Sequence, residues 1–189
     1  MRTITKLEQC PNLVHLCLRQ NFITSETLSG LLPISKSIIK LDMYENQIDG
    51  KGLSNFLVSD NQIIFPSLKY LDLSFNPIRQ LSTITKDDSE VSTESLREGG
   101  PLSAFPNLEY LFFVECKITE VPCFKNIPKL HCLELGANRI RDINGVECLP
   151  ALRELWFGKN KISTIEVIMQ YSNISIHINF FFIIFIFFF

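Results

Sequence analysis

The sequence lacks a surplus of either charge. Its 189 residues contain 18 Lys and Arg against 20 Asp and Glu, which gives a formal net charge of −2. A general nucleic-acid-binding protein needs a basic stripe on its surface, and this balance does not supply one. We therefore expect no nucleic-acid partner.

The short motifs of catalysis are also missing. The chain has no G-x-S-x-G and no P-loop, and its three histidines, His15, His131 and His177, lie far apart. The acidic residues are spread singly, which is more typical of a solvated surface than of an acid–base pair. We expect neither enzymatic activity nor a bound cofactor.

The six cysteines form no C-x-x-C pair and have no zinc-ligand spacing with histidine. We therefore expect no metal site, and we expect the reduced thiols that are typical of nuclear and cytoplasmic proteins. The N-terminal residues lack the apolar stretch of a secretory signal. The apolar run at 180–189 is too short for a spanning helix, which needs about 20 residues, so we do not expect a membrane protein.

What the chain does have is an internal repeat. The template L-x-x-L-x-L-x-x-N-x-I recurs six times, with Asn at the ninth position in five copies and Cys116 in the other. The last three copies are evenly spaced and define an undisturbed 22-residue unit, whereas the earlier intervals are longer. The copies begin at Leu13, Ile38, Leu68, Leu108, Leu130 and Leu152.

Within each copy the first, fourth and sixth residues are apolar, and the residues between them point the other way. This period of two predicts a short strand with one face inward. We predict six parallel strands, each good to about two residues: 13–18, 38–43, 68–73, 108–113, 130–135 and 152–157. The ninth-position amides predict a buried ladder of side chains that bond to free backbone groups, with Cys116 as a weak donor in the ladder.

The segments that return to the next strand have apolar residues at every third position, as at Ile143, Val146 and Leu149. A period of three predicts a 3₁₀-like or short helical return. This is the leucine-rich-repeat pattern. The predicted fold class is α/β, a solenoid forming a right-handed arc with a parallel concave sheet and a short 3₁₀ or helical convex side.

The predicted domain is an array of six repeats over residues 1–171, in which the extra residues of the longer repeats loop outward. The largest excess is an acidic insertion at about 82–104, for which we expect an exposed, mobile loop over 84–101. Residues 172–189 are an apolar Phe- and Ile-rich tail. Because His177 and Asn179 fall where a seventh copy requires Leu, we expect this tail to lie outside the fold.

The third and fifth positions of each copy point away from the core and should form two adjacent columns on the concave face. They combine acids with aromatic side chains, which is the composition of binding hot spots, and the acids favour a basic partner surface. The predicted partner-binding residues are Asp42, Tyr70, Asp72, Tyr110, Phe112, Glu134, Glu154 and Trp156.

The segment LELGANRIRDINGVECLPALRELWFGKNKIS resembles the 22-residue-repeat regulatory subunit of protein phosphatase 1, and LDLSFNPIR and LFFVECKI are similar to earlier repeats of that family. In that family the concave face binds the phosphatase catalytic subunit through acidic and aromatic residues at the fifth strand position. The resemblance thus implies contacts by Asp72, Phe112, Glu134 and Trp156.

Two functional interpretations remain open at this point. The first is a monomeric, non-catalytic regulator of the phosphatase catalytic subunit, or a fragment of one, present in the nucleus and cytoplasm. The second is a structural leucine-rich-repeat adaptor of ciliary or cytoskeletal type, tethered to a membrane by the Phe-rich tail. The fold alone does not choose between them.

Overall fold

A computed structural model describes residues 1–58, 63–81, 100–122, 124, 126–163 and 175–177. Seven three-residue strands pair in chain order in one parallel sheet. They are β1 (His15–Cys17), β2 (Lys40–Asp42), β3 (Tyr70–Asp72), β4 (Tyr110–Phe112), β5 (Cys132–Glu134), β6 (Glu154–Trp156) and β7 (Ser175–His177). Helical segments on the return path are 3₁₀ helices at Leu7–Gln9, Ser25–Ile34, Pro101–Ala104 and Val146–Cys148, and α1 (Gly50–Val58).

The six predicted parallel strands are confirmed, each at the centre of its predicted range. The register pairs equivalent template positions throughout, so Leu41 lies beside Leu71 and Leu133 beside Leu155. These central leucines point into the core, where Leu71 is 1% exposed and Leu133 is completely buried. The period of two in the sequence thus places the fourth residue of each copy inside and the third and fifth residues outside.

The ninth-position asparagines form the predicted ladder. Asn138 donates through Nδ2 to the carbonyl oxygens of Phe113 at 2.7 Å and Leu135 at 2.9 Å, in two successive repeats. Its Oδ1 accepts the Ile118 N–H at 3.0 Å. Asn46, Asn76 and Asn160 repeat this pattern. Each amide therefore satisfies backbone groups that would otherwise be buried without partners where the strands end.

Cys116 replaces the donor role of the ladder asparagines but not their acceptor role. Its thiol donates to the Leu73 carbonyl oxygen at 3.2 Å, as the asparagine amides do in their own repeats. A thiol is a poor acceptor, and the Ile78 N–H, equivalent to that of Ile118, donates instead to the Asn76 carbonyl oxygen at 2.8 Å. Burial raises the pKa of the Cys116 thiol to about 12, so the donor proton is kept at neutral pH.

The expectation that the longer repeats loop outward is wrong for the first two intervals. Their additional residues form the 3₁₀ helix Ser25–Ile34 and α1, which pack on the convex side of the sheet. Leu28 and Leu31 from the first and Leu53 from the second are almost fully buried. Apolar residues three or four apart along each segment give it one buried face, so the additional residues of these two repeats join the hydrophobic core.

The acidic insertion ends earlier than the sequence predicted. Residues 101–104 are a buried 3₁₀ helix that packs against α1, and Leu102 is 1% exposed. Phe105 then stacks on Phe65 with ring centroids 5.5 Å apart. The predicted insertion boundary at about 104 is therefore wrong, and so is the last residue of the predicted mobile loop 84–101, because Pro101 is buried with this helix. Residues 84–99 of the predicted loop lie outside the described residues.

The tail also differs from the expectation. The backbone of Ser175–His177 pairs with β6, placing Ile176 beside Leu155 and His177 beside Trp156. Ser175 lies beside Glu154, where the regular repeat step would have placed Ile176. The strand therefore pairs one position away from the register that the regular repeat step predicts. The prediction that residues 172–189 lie outside the fold is thus wrong for β7, and the other tail residues lie outside the described ranges.

Candidate protein-binding face

The strand register brings the eight predicted partner-binding residues together on the outward face of β2–β6, hereafter the sheet face. Those at the third position form one column and those at the fifth form the next, because every strand pairs at equivalent positions. Neighbouring strands lie about 4.8 Å apart, so each side chain is within reach of its neighbours along the column. The third-position column contains Tyr70, Tyr110 and Glu154, and the fifth-position column contains Asp42, Asp72, Phe112, Glu134 and Trp156.

An aromatic group lies at the middle of the sheet face. The Tyr70 ring is 5.0 Å from that of Phe112 and 6.4 Å from that of Tyr110, centroid to centroid. Lys40 places its ammonium 4.3 Å from the Tyr70 ring centre, in a cation–π contact. Tyr110 is 42% exposed. This group offers a partner a ring that is already held in place by its neighbours.

The fifth-position acids have a structural task that the sequence reading missed. Each accepts the backbone N–H two residues further on, where the chain turns after the strand. Asp72 accepts from Ser74 at 2.9 Å, and Glu134 accepts from Gly136 at 3.0 Å. Asp42 does the same with Tyr44 at 3.2 Å. One oxygen of each carboxylate therefore already accepts a hydrogen bond in the free protein. Acidic side chains at turns commonly bond to the backbone two residues further on, so the sequence could have predicted this contact.

Asp42 and Asp72 are much less accessible than their positions suggested, at 7% and 6% exposed. Arg19, from the turn after β1, lies against both acids, and the sequence did not single it out. Its Nε lies 3.4 Å from Asp42 Oδ2, and its Nη2 lies 3.9 Å from Asp72 Oδ2. The guanidinium also stacks over the Tyr44 ring at 4.4 Å. Arg19 thus covers both acids and neutralises part of their charge.

At the other end of the sheet face, acid and aromatic groups are more open. Trp156 is 37% exposed, and its indole Nε1 donates to Glu154 Oε2 at 3.4 Å. The pairing of β5 with β6 sets Glu134 beside Trp156, as the 22-residue spacing predicted. Within the described ranges, no ion pair joins Glu134 or Glu154 to a cation. This end therefore presents negative charge beside a large aromatic surface.

Burial raises the pKa of three side chains on the sheet face, Asp72, Glu134 and Cys132. It raises the pKa of the Asp72 carboxyl, and the hydrogen bonds from Ser74 oppose the rise. It likewise raises the pKa of Glu134, opposed by the Gly136 N–H. Burial and the charges of Glu154 and Glu134 raise the pKa of the Cys132 thiol to about 11, so this cysteine on the face is not a thiolate at neutral pH.

The part of the chain that the structure describes contains no group of three or more His, Cys, Asp or Glu side chains placed to hold a metal ion. Among its helices, none has the length and apolar character needed to cross a bilayer.

Comparison with known proteins agrees with the repeat. The family model described as Leucine Rich repeats (2 copies) matches residues 106–148, and one described as Leucine Rich repeat matches residues 66–79. Among solved structures, an internalin from Listeria monocytogenes superposes with a TM-score of 0.58 at 23% identity, covering 94% of this chain and 51% of that one. That similarity concerns the fold.

Two curated relatives carry a functional name. The protein phosphatase 1 regulatory inhibitor subunit homologue of Arabidopsis thaliana is 26% identical over an alignment that covers 88% of this chain and 51% of the relative. The protein phosphatase 1 regulatory subunit of Saccharomyces cerevisiae is 40% identical over 39% of this chain and 19% of its own length. The chain thus spans about half or less of these relatives. Its residues 66–79 and 106–148 match leucine-rich-repeat models, and its sequence is similar to protein phosphatase 1 regulatory subunits.

Proposed function

We propose that this chain is a non-catalytic module that binds and regulates the catalytic subunit of protein phosphatase 1 through the sheet face. The observation that carries the proposal is the open end of that face. There Trp156 is more than one third exposed, beside Glu154 and Glu134. The names of the curated relatives supply the identity of the partner. We further propose that the chain acts as a monomer in the nucleus and cytoplasm.

The chemistry of the face fits a basic partner surface. Trp156 supplies an aromatic anchor that loses water on binding, which is the kind of residue that dominates interface energies. Glu134 and Glu154 supply negative charge, which steers a positively charged surface and fixes its register. The aromatic group around Tyr70 and Tyr110 extends this surface toward the middle of the sheet.

The test is calorimetric titration of the full chain with purified phosphatase catalytic subunit. Trp156→Ala should cost at least about 2 kcal/mol of binding free energy, as central aromatic anchors do. Glu134→Lys should weaken binding more than Glu134→Ala, because it adds repulsion of like charge. Regulation is measured separately, as the change in phosphatase activity when the chain is added.

A matched control is Phe22→Ala, which removes an aromatic side chain that is 55% exposed but lies beyond β1, off the sheet face. It should leave the affinity unchanged. If Trp156→Ala and Glu134→Lys both bind as tightly as the wild type while remaining folded, the phosphatase proposal is refuted. The adaptor interpretation would then be the one to pursue.

A further inference from the structure

Arg19 occupies the place on Asp42 and Asp72 that a basic partner group would take. Each acid has given one oxygen to its own turn, so Oδ2 is the atom left for an external cation. In both residues Oδ2 is the atom that faces Arg19, at 3.4 Å and 3.9 Å. The free protein has therefore already filled these two positions with a cation of its own.

Three contacts hold the guanidinium in this position. Besides the two carboxylates, the Tyr44 ring supports its flat face at 4.4 Å. Tyr44 is itself held by Phe75, with ring centroids 4.8 Å apart. A planar guanidinium suits such a site because it pairs with acids at its edge while it stacks on a ring. The Arg19 side chain nevertheless stays 49% exposed, so it can be displaced.

We propose that Arg19 is a specificity-determining residue that closes the Asp42–Asp72 end of the sheet face to basic partners. A partner's cationic side chain reaches these acids only by displacing Arg19. Binding energy is then concentrated at Glu134, Glu154 and Trp156. This inference rests on the proposed function, because it takes the phosphatase catalytic subunit as the partner.

The structure also explains why the closure is confined to one end. Arg19 is the seventh residue of its copy, and it reaches over the acids of the next two copies. The seventh-position residues of the one or two copies before Glu134 and Glu154 are Ser74, Val114 and Gly136. None of these residues has a cation to place over the acids of the following strands, so the closure is confined to Asp42 and Asp72.

The experiment measures affinity of the full-length chain for purified phosphatase catalytic subunit in four forms: wild type, Arg19→Gln, Asp72→Asn and the double variant. Arg19→Gln should bind about two- to fivefold more tightly, the factor expected for releasing one partly exposed ion pair. Asp72→Asn alone should stay within about twofold of the wild type, because the acid it removes is already covered. In the double variant the gain from Arg19→Gln should be lost.

Arg139→Gln is the matched control, since it removes the same charge from an exposed arginine far from the two acids. It should bind like the wild type. An Arg19→Gln chain that binds no more tightly, or a double variant that keeps the full gain, overturns the inference. Should Arg19→Gln fail to fold, Asp72→Asn decides the matter, because a large loss of affinity would show that the partner reaches Asp72 with Arg19 in place.

The two proposals fail in different ways. If the wild-type chain does not bind the catalytic subunit, the proposed function is refuted. If the wild type binds and Trp156→Ala weakens it, but Arg19→Gln leaves the affinity unchanged, only the inference about Arg19 is refuted.

Discussion

The half of the sheet face on β2 and β3 and the half on β4–β6 differ in how their acidic side chains are covered. In the first, Asp42 and Asp72 lie beneath Arg19 and are almost fully buried. In the second, Glu134 and Glu154 lie beside Trp156 without an ion pair to a cation in the described part of the chain. The acids of the two halves thus differ in accessibility, because Arg19 reaches over Asp42 and Asp72, whereas the seventh-position residues before Glu134 and Glu154 are Ser74, Val114 and Gly136.

The two halves also differ behind the sheet. In the first half the return path includes the long 3₁₀ helix Ser25–Ile34 and α1, and Phe65 and Phe105 stack beside them. In the second half it is much shorter, with a three-residue 3₁₀ helix at Val146–Cys148. The first half therefore has the thicker core, and the second keeps the regular 22-residue unit. Within the described residues, the additional sequence length of the first half contributes to the core.

The largest expected effect comes from removing one central leucine in each half. Leu71→Ala and Leu133→Ala should each lower the unfolding free energy by about 2–5 kcal/mol, through the lost burial and the cavity left behind. We expect Leu71→Ala to cost more, because the surrounding helices hinder collapse of its cavity. Urea denaturation followed by circular dichroism measures both. A larger cost at Leu133 would contradict the thicker core of the first half.

Two substitutions in the asparagine ladder should have intermediate effects on the unfolding free energy, with opposite signs. Asn138→Cys should cost about 1–3 kcal/mol, because a thiol cannot replace the amide oxygen that accepts the N–H groups of Cys116 and Ile118. The reverse change, Cys116→Asn, should add about 0.5–1.5 kcal/mol, by giving the Ile78 N–H its usual acceptor. Thermal unfolding of both variants tests the pair. If Cys116→Asn is destabilising, the site has adapted to the smaller side chain.

The smallest effect is the pH dependence of Glu134. Burial raises its pKa above the ordinary value of 4.5, so the folded state binds the proton more tightly than the unfolded state. This contribution to stability is present at low pH and is lost as pH rises through the raised pKa. Glu134→Gln keeps an acceptor for Gly136 and removes the charge. It should therefore be slightly more stable than the wild type at neutral pH and show a flatter profile.

Urea unfolding at pH 4.5 and at neutral pH, in wild type and Glu134→Gln, measures that difference. The exposed Glu115→Gln serves as the control for a general change of charge. A wild-type stability that rises over this interval relative to Glu134→Gln would contradict the assigned direction. The same comparison applied to the covered acid Asp72 would show how far Arg19 relieves the cost of burial.

The repeat let the sequence predict the strands, their order and the ladder, because a template that recurs in register fixes which residue faces inward. It failed where packing overrode local composition. Residues 101–104 belonged by composition to a loop, yet they lie buried against α1. The tail broke the template at its expected register, yet a shift by a single position let Ser175–His177 pair with β6. Both depend on what the neighbouring repeat offers, which local composition does not contain.

The sequence by itself determined the solenoid and the two columns of the sheet face, since a strand period of two and a fixed repeat length leave no other stacking for these side chains. Which acids stay open was decided only by the tertiary structure. Arg19 belongs to the first copy, whereas Asp42 and Asp72 belong to the second and third, and no periodicity in the sequence connects them. The three meet because parallel strands bring successive turns side by side, where a long side chain from one copy reaches over the next two.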